Sequence, residues 1–317
     1  MGQTFPQIDV SVIIVNYNSF NLLDECLKSL FDFNHELLLE VIVVDNNSTE
    51  GNIESIIKKY PFVQLIKNKS NLGFAAANNQ GLNIAKGKYI LFLNNDIVFL
   101  DDAIKQVYDF AESKKNDLFI GCQLLNKDLS KQESVVEFPG LWNAVTENLF
   151  LYKIFEKSSL FNKYYQNYFE YDSPQQVDVI KGAFMFCSAN AVKMLHGFDK
   201  RFFFYSEETD LCYRFKKLGG EIYFLPDIEI IHYGGESTDK NLWFKFKNQT
   251  TGKIQYYQKH FNGWKFGVLL FVHYLGLFLR GIIYPLGGIL LFKKSLFIKG
   301  YYFVKQMFIY PQNKFVK

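Results

Sequence analysis

The chain of 317 residues is long enough to bury a sizeable core, and its 49% hydrophobic and 18% aromatic content excludes an intrinsically disordered protein. Its charge is divided: none of its 32 Asp and Glu residues follows Asp239, whereas twelve of its 35 Lys and Arg residues lie from Lys245 to Lys317. An acidic body with a basic, apolar tail predicts an anionic surface as partner, and the apolar character of the tail favours a membrane over nucleic acid.

The cysteines and the first apolar run bear on the cellular compartment. Cys26, Cys122, Cys187 and Cys212 have neither CxxC pairing nor the spacing of a metal site. We therefore predict reduced, buried thiols, as is usual in the cytoplasm. The apolar run at residues 10–15 is too short for a secretory signal, which predicts that the folded body stays in the cytoplasm.

Apolar strands alternate with helical segments up to about Leu125. The predicted strands are VSVIIV (10–15), EVIVVD (40–45), FVQLI (62–66) and YILFLN (89–94). Each is followed by a segment with helical periodicity, and this alternation predicts an α/β fold with a mainly parallel sheet flanked by helices. Ligands of such sheets bind beyond the carboxyl ends of the strands, so the residues that end each strand are the candidates for a binding site.

Polar residues follow all four predicted strands. They are Asn16-Tyr17-Asn18, Asp45-Asn46-Asn47-Ser48, Asn71-Leu72-Gly73 and Asn94-Asn95-Asp96. Any one of these clusters fits an ordinary turn or cap. Four at one edge of a sheet predict a ligand crevice. A carboxylate beside so apolar a strand as YILFLN is costly to bury unless a cation neutralises it, and Asp96 therefore indicates a cation site.

A second set of chemical groups lies further along the chain. Residues 177–188 are predicted to form a strand broken by Gly182, where glycine permits close approach of a ligand or another backbone. The next predicted helix carries Glu207 and Glu208 in its first turn. At 100° per residue, we expect Glu208 near the centre of the inward face, Glu207 nearer its edge, and Asp210 pointing away.

Seven motifs in register carry a resemblance to a known family. They are VSVIIVNYN, VIVVDNNS, NLGFAAANN, YILFLNNDI, KGAFMF, FFYSEETDLCYR and IIHYGGES, and they cover about Val10 to Ser237. Together they resemble the family-2 glycosyltransferases, inverting enzymes with the Rossmann-like GT-A fold. The FLNND and EETDLCYR forms are most similar to bacterial rhamnosyltransferase-type members. The resemblance implies transfer of a sugar from a dTDP or UDP donor to a hydroxyl of a glycan or lipid-linked acceptor, in the synthesis of surface polysaccharide.

The resemblance also implies which residues bind the donor. Asp45 should accept a hydrogen bond from the pyrimidine base. Residues implied to lie near the nucleotide, ribose or diphosphate are Asn16, Tyr17, Asn18, Asn71, Gly73, Asn78, Asn94 and Asn95.

The resemblance also implies which residues bind a metal ion and which residue acts as the catalytic base. Asn94-Asn95-Asp96 stands where the family has its D-x-D motif, so this chain keeps one metal carboxylate rather than two. The resemblance implies that Asp96 and His232 bind a divalent cation, Mn²⁺ or Mg²⁺, which would stabilise the negative charge that grows on the departing diphosphate. Glu208 matches the catalytic base, with Glu207 as the substitute candidate, because the attacking hydroxyl must lose a proton.

The tail from Trp264 to Phe292 is apolar but is interrupted by Arg280 and Pro285. Neither apolar piece reaches the ~20 residues of a spanning helix. We predict two short interfacial helices on the inner face of the cell membrane, with lysines toward the headgroups. A true span, packing on the catalytic domain and a homodimer contact are the alternatives. The predicted domains are 1–239, the glycosyltransferase, and 240–317, the tail.

Two other functions compete with this interpretation. The missing first Asp favours a catalytically weak scaffold that binds sugar nucleotides within an assembly complex. A nucleotidyltransferase is disfavoured, because the chain has no G-x-x-x-x-G-K phosphate loop. The sequence leaves open the sugar and nucleotide of the donor, the acceptor and linkage, the oligomeric state and the role of residues 126–176, for which an insertion that shapes the site of a second substrate is one interpretation.

Overall fold

The structure is a computed structural model that describes residues 7–114, 116–165, 172–234 and 241–310. The chain divides into two compact units. The first unit comprises Met1–Val136, Tyr171–Phe203 and Glu207–Ser237, and the second comprises Glu137–Glu170, Phe204–Ser206 and Thr238–Lys317. The domain boundary predicted after residue 239 falls in 235–240, outside the described residues, and stays a prediction.

The described strands belong to the first unit. They are β1 (Val10–Asn16), β2 (Leu39–Asp45), β3 (Val63–Lys67), β4 (Tyr89–Asn94), β5 (Ile97–Phe99), β6 (Leu118–Leu125), β7 (Val135–Val136), β8 (Gln175–Gln176), β9 (Val179–Ile180), β10 (Phe184–Ser188) and β11 (Glu221–His232).

Both units contain helices. Those of the first unit are α1 (Phe20–Phe33), α2 (Ile53–Ile57), α3 (Phe74–Ile84), α4 (Ala103–Ser113), α7 (Ala189–Met194) and α8 (Glu207–Lys217). Those of the second unit are α5 (Leu141–Asn148), α6 (Leu151–Ile154), α9 (Leu242–His260), α10 (Trp264–Leu290) and α11 (Lys294–Gln306).

The main sheet has the order β3-β2-β1-β4-β10-β6-β11-β5, with β8 added to β11. The pairs among β1 to β4 and the β6–β11 pair are parallel, whereas β10, β5 and β8 are antiparallel to their neighbours. The prediction of a mostly parallel α/β sheet is therefore confirmed. In the register of β1, Asn16 pairs with Asp45 and Val15 with Asn94, so the ends of β1, β2 and β4 meet at one edge.

The core lies between the sheet and the helices on its two faces. α1 buries Leu23, Leu27 and Leu30, because residues spaced by three and four positions share one side of a helix. All eight residues of β6 are buried, as expected of a strand covered on both faces. The four cysteines are free and buried, as the sequence predicts.

The apolar tail forms one long helix rather than two short ones, so the prediction of a break at Arg280 and Pro285 was wrong. The guanidinium of Arg280 donates to the backbone carbonyl of Glu147 at 2.8 Å and to Asn148 Oδ1 at 3.2 Å, which places the charge inside the second unit. Pro285 packs on Gly300 of α11, where an added Cβ would lie 2.4 Å from the proline ring. In length and composition α10 matches a membrane-crossing helix.

Candidate active site

A chain of side-chain hydrogen bonds joins the ends of β1, β2 and β4. Asn95 Nδ2 donates to Asn16 Oδ1 at 2.8 Å, and Asn16 Nδ2 donates to Asp45 Oδ1 at 3.1 Å. Ser48 Oγ donates to the same Asp45 oxygen at 2.6 Å and accepts from the backbone N–H of Asn18 at 2.9 Å. The structure thus brings together predicted site residues from three strands. Their buried amides and carboxylate are held in one orientation, as a preorganised polar site requires.

Asn46 belongs to one of the predicted polar clusters but was given no role in binding the donor. Its side chain connects the end of β2 to the loop before α3. Its Nδ2 donates to Asn71 Oδ1 at 2.9 Å and to the carbonyl of Gly73 at 3.2 Å. Its Oδ1 accepts from the N–H of Leu72 at 3.0 Å. A polar cluster made of contiguous Asx residues signals a turn, but which member bonds to the next loop depends on the fold.

Gly73 and Asn78, both predicted near the donor, have packing roles. Gly73 has φ +84°, and a Cβ there would lie 2.5 Å from the carbonyl oxygen of Phe203, so only glycine fits. Asn78 is buried on α3, and its Nδ2 donates to the carbonyl of Phe74 in the preceding turn. Its Oδ1 has no hydrogen-bond partner within the described residues. Tyr17, by contrast, is largely exposed at the sheet edge.

Asp96 and His232 are brought together although they lie far apart in sequence. Asp96 occupies the tight turn between β4 and β5 and is 6% exposed. His232 ends β11 and pairs with Ile97 of β5, which sets its Nε2 3.4 Å from Asp96 Oδ1. The N–H of Tyr233 donates to the carbonyl of Asp96 at 3.0 Å and fixes the two backbones. A sharp turn at the sheet edge therefore presents one carboxylate and one imidazole side by side.

These two groups suit a divalent cation that is shared with a ligand. The described residues contain no cluster of three His, Cys, Asp or Glu side chains that would hold a metal alone. A carboxylate oxygen and an imidazole nitrogen are accepted ligands of Mn²⁺ and Mg²⁺, and Mg²⁺ sites often complete their shell with phosphates and water. The two side chains fit a divalent cation whose other ligands come from outside the protein, and they do not fit a closed structural site.

The carboxylates of α8 are oriented differently from the prediction. Asp210, expected to point away, is fully buried. The reason is an ion pair: Asp210 bonds to Arg214 at 2.8 Å, and that guanidinium also donates to the carbonyls of Leu195 and Gly197. The prediction placed the inward face by helical periodicity alone, which does not account for a charge that is buried together with its partner.

Glu207 and Glu208 differ in their surroundings. Glu207 is buried, and its Oε2 has no hydrogen-bond partner within the described part of the chain. Burial, reinforced by the nearby Glu208 carboxylate, raises the pKa of Glu207 well above its usual value. Burial thus disfavours the charged form of Glu207. Glu208 is only half-buried.

Glu208 and the Asn94–Asp96 turn are connected through one short segment. The side chain of Glu208 lies against Gly182, with its Cβ 3.4 Å from the position of an added glycine Cβ. The next residue, Ala183, accepts a hydrogen bond from the N–H of Asn94 at 2.9 Å. The interruption predicted at Gly182 thus separates β9 from β10. It places the Cβ and Cγ of Glu208 against the segment that bonds to the end of β4.

The sequence of this chain is similar to those of known proteins. Residues 11–180 match the profile of a family described as Glycosyl transferase family 2. The chain is 25% identical over 243 residues to the N-acetylglucosaminyl-diphospho-decaprenol L-rhamnosyltransferase of Mycobacterium tuberculosis, which covers 73% of this chain and 78% of that protein. It is 28% identical over 237 residues to the rhamnosyltransferase WbbL of Escherichia coli, with 71% and 83% covered.

Among solved structures, the mannosyltransferase PcManGT from Pyrobaculum calidifontis, in complex with GDP-Man and Mn²⁺, is similar in fold. The TM-score is 0.57 at 14% identity, with 96% of this chain and 88% of that chain covered. At this identity the likeness concerns the fold alone, and it confirms the predicted GT-A-like architecture.

Proposed function

Because the chain belongs to glycosyl transferase family 2, we propose that it moves a sugar from a nucleotide-diphosphate donor to a hydroxyl of a glycan or lipid-linked acceptor in cell-surface polysaccharide synthesis. The observation that carries the proposal is the juxtaposition of Asp96 and His232 at the sheet edge where Asp45 also ends its strand. The two rhamnosyltransferase relatives favour rhamnose as the sugar, with dTDP or UDP as the nucleotide.

The donor's base is proposed to bind at Asp45. This carboxylate is 3% exposed, and Asn16 and the hydroxyl and N–H of Ser48 donate to it. A carboxylate has about four lone-pair sites, so it can accept a further N–H from a pyrimidine. Its existing partners fix its plane, and that fixed orientation favours one base position over others.

Asp96 and His232 would hold Mn²⁺ or Mg²⁺, which when bound supplies a Lewis acid for the diphosphate oxygens. In this role the single carboxylate replaces the usual pair, and the imidazole takes the second position. Asn94 and Asn95 are proposed to face the donor from the same turn. The contact of Asn95 with Asn16 supports one continuous donor site from the base to the diphosphate.

Glu208 is proposed as the general base. Its carboxylate would take the proton of the acceptor hydroxyl as the hydroxyl oxygen attacks the anomeric carbon from the face opposite the leaving diphosphate. That single displacement inverts the anomeric centre. Glu207 is the weaker candidate, because it is buried and its surroundings disfavour the charged form that a general base must have.

The second unit is proposed to rest on the inner face of the cell membrane. Its helix α10 carries an exposed apolar stripe at Trp264, Phe271, Phe278, Ile282 and Leu286. α11 carries another at Phe297, Tyr301 and Val304. The nearby Lys293 and Lys294 fit anionic headgroups. Arg280 bonds to Glu147 and Asn148 of α5, so the charged face of α10 is held against another helix of its own unit. This attachment favours an interfacial placement of α10 over a span.

A thermal-shift panel of dTDP- and UDP-sugars, each with and without Mn²⁺, tests the transferase proposal. At about 100 times the dissociation constant, a true donor should add about 2.7 kcal/mol to the free energy of unfolding. The Mn²⁺-dependent part of the shift should be lost in Asp96→Asn. If no donor gives a Mn²⁺-dependent shift, metal-assisted transfer is contradicted and the scaffold function is favoured.

A further inference from the structure

Gln132 lies beside His232 in the first unit, and nothing in the family motifs draws attention to it. Gln132 Oε1 is 2.9 Å from His232 Nδ1. Gln132 Nε2 donates to the backbone carbonyl of His232 at 2.6 Å and to Asn126 Oδ1 at 2.8 Å. The side-chain amide of Gln132 therefore bonds to both the ring and the backbone of His232.

The partners of Gln132 fix which way its amide faces. A backbone carbonyl only accepts hydrogen bonds, so the NH₂ group must face His232 O, and the carbonyl oxygen must face the imidazole. Asn126 supports the same orientation, because its own NH₂ donates to Ser130 Oγ at 2.8 Å and leaves its oxygen free to accept. The N–H of Gln132 donates to the carbonyl of Leu124 and anchors the loop.

The fixed amide dictates the tautomer of the histidine. An oxygen at Nδ1 requires the proton on Nδ1, so in the neutral ring Nε2 carries a lone pair. That lone pair faces Asp96 Oδ1 at 3.4 Å, and Asn94 Nδ2 at 3.3 Å is placed to donate to it. Of these atoms, His232 Nε2 and Asp96 Oδ1 are both acceptors, and a cation between them would satisfy both.

We infer that Gln132 is a positioning residue that holds His232 in the Nδ1–H tautomer and aims Nε2 at the cation position beside Asp96. The inference rests on the proposed function only for its consequence, metal affinity. Hydrogen-bond partners of metal-bound histidines raise ligand basicity and fix ring orientation, and their loss typically weakens metal binding 10- to 100-fold.

The tautomer is measured directly by ¹⁵N NMR of histidine-labelled protein without metal, at a pH where the imidazole is neutral. The His232 signals are assigned by their disappearance in His232→Gln. We expect the Nδ1–H form in the wild type and a shift toward Nε2–H in Gln132→Met, which keeps the side-chain length but removes both polar atoms. An Nε2–H ring in the wild type overturns the inference, even if no variant folds.

Metal affinity is measured by Mn²⁺ titration of the same proteins. We expect Gln132→Met to raise the dissociation constant at least tenfold. Gln64→Met, which removes an exposed glutamine that bonds to Glu40 on the far edge of the sheet, is the matched control and should leave it unchanged. In the His232→Ala background Gln132→Met should add nothing, since its effect passes through that ring.

The outcomes separate this inference from the proposed function. Wild-type protein with an Nδ1–H ring but no Mn²⁺ binding would support the positioning role and contradict the metal-dependent transfer. Tight Mn²⁺ binding that Gln132→Met leaves unchanged would overturn the positioning role and leave the transfer intact. An equal loss in the wild-type and His232→Ala backgrounds would also overturn it, because it would show a general effect on the fold.

Discussion

Glu207 and Glu208 are consecutive on α8 but have different surroundings, because successive residues of a helix point about 100° apart, which here leaves Glu207 buried and Glu208 half-buried. Glu207 is buried and its pKa is raised by that burial, whereas the side chain of Glu208 lies against Gly182. Sequence alone ranked the two by an assumed helix orientation, and that orientation was wrong for Asp210. The assignment of the base therefore rests on burial and neighbours rather than on helical periodicity.

Glu208→Gln is expected to lower kcat at least 100-fold, because general-base catalysis contributes typically 10²–10⁴-fold. Donor affinity should stay within about twofold, since the amide keeps the shape of the side chain. The measurement is steady-state turnover together with donor titration. Glu54→Gln, at an exposed position of α2, is the control and should leave both unchanged. Near-normal turnover of Glu208→Gln would reject its role as the base.

Glu207→Gln is expected to change how stability depends on pH. The pKa of Glu207 is raised in the folded protein, so the unfolded chain releases this proton first as the pH rises above the ordinary value of 4.5. Folded-state stability is therefore lost progressively from that pH up to the raised pKa, by up to about 1.4 kcal/mol per pH unit. The neutral glutamine removes this loss.

Denaturant unfolding of both proteins from pH 4.5 to pH 8 checks this linkage. The stability of Glu207→Gln relative to the wild type should rise with pH across the window and level off above the folded pKa. A difference that stays constant with pH would mean that Glu207 is charged in the folded protein.

The sequence predicted the residues at the strand ends better than it predicted their contacts. Asp45, Asn16, Asp96 and His232 stand out because polar side chains follow apolar strands. Gln132 does not stand out, because its partner lies 100 residues away and its neighbours resemble an ordinary loop. Which loop residue faces a strand end depends on tertiary register, and a single sequence does not carry that information.

At the scale of elements, the turn that leads into α8 is held by α9. Tyr205 and Ser206 both have left-handed backbone angles, φ 71° and φ 72°, which L-residues adopt at a cost of about 1–2 kcal/mol each. α9 presents Gly252 to this turn, where an added Cβ would lie 2.4 Å from the carbonyl of Tyr205. Gly252, Tyr205 and Ser206 all belong to the second unit, and Glu207 follows Ser206 directly in the chain.

Gly252→Ala is expected to destabilise the protein by about 1–3 kcal/mol, because the methyl group meets backbone rather than a flexible side chain. The matched control is Gly267→Ala on α10, where an added Cβ meets nothing within 4 Å. There the usual gain of about 0.5–1 kcal/mol from replacing a helical glycine should appear. Denaturant unfolding measures both. Equal effects of the two substitutions would refute the close packing of the turn.

The long helix α10 shows where one-dimensional reasoning fails at this scale. Arg280 and Pro285 look like breaks in an apolar run, yet both are accommodated by partners on α5 and α11. The strands and helices up to residue 125 were predictable, because their periodicity comes from burial of one face or of both. The helical character of the tail was also predicted, but its contacts were not, because they join distant segments, as the ion pair of Lys253 with Glu147 does.

At the scale of the whole molecule, the division of charge predicts where the chain works. The acid-free tail lies entirely in the second unit, and its exposed apolar residues fall at helical spacing on α10 and α11. A surface of this kind in water is unfavourable unless something covers it. Lipid fits both its apolar stripes and its lysines, and a lipid-linked acceptor would be found at the same surface.

The full-length protein is therefore expected to sediment with vesicles that contain anionic lipid, and to do so less at high salt, because lysines near the surface each contribute about 1 kcal/mol. Replacing Phe271 and Leu286, which are 68% and 53% exposed, by Ser should weaken binding at least tenfold, since each insertion of such a side chain is worth about 1.5–3 kcal/mol. Phe62→Ser, at an 88% exposed site of the first unit, is the control and should bind like the wild type.

Alkaline carbonate washing separates the two membrane arrangements, because an interfacial helix is released whereas a spanning helix stays in the pellet. Binding that is indifferent to Phe271 and Leu286 would contradict the interfacial arrangement, since these side chains are the ones that must enter the lipid.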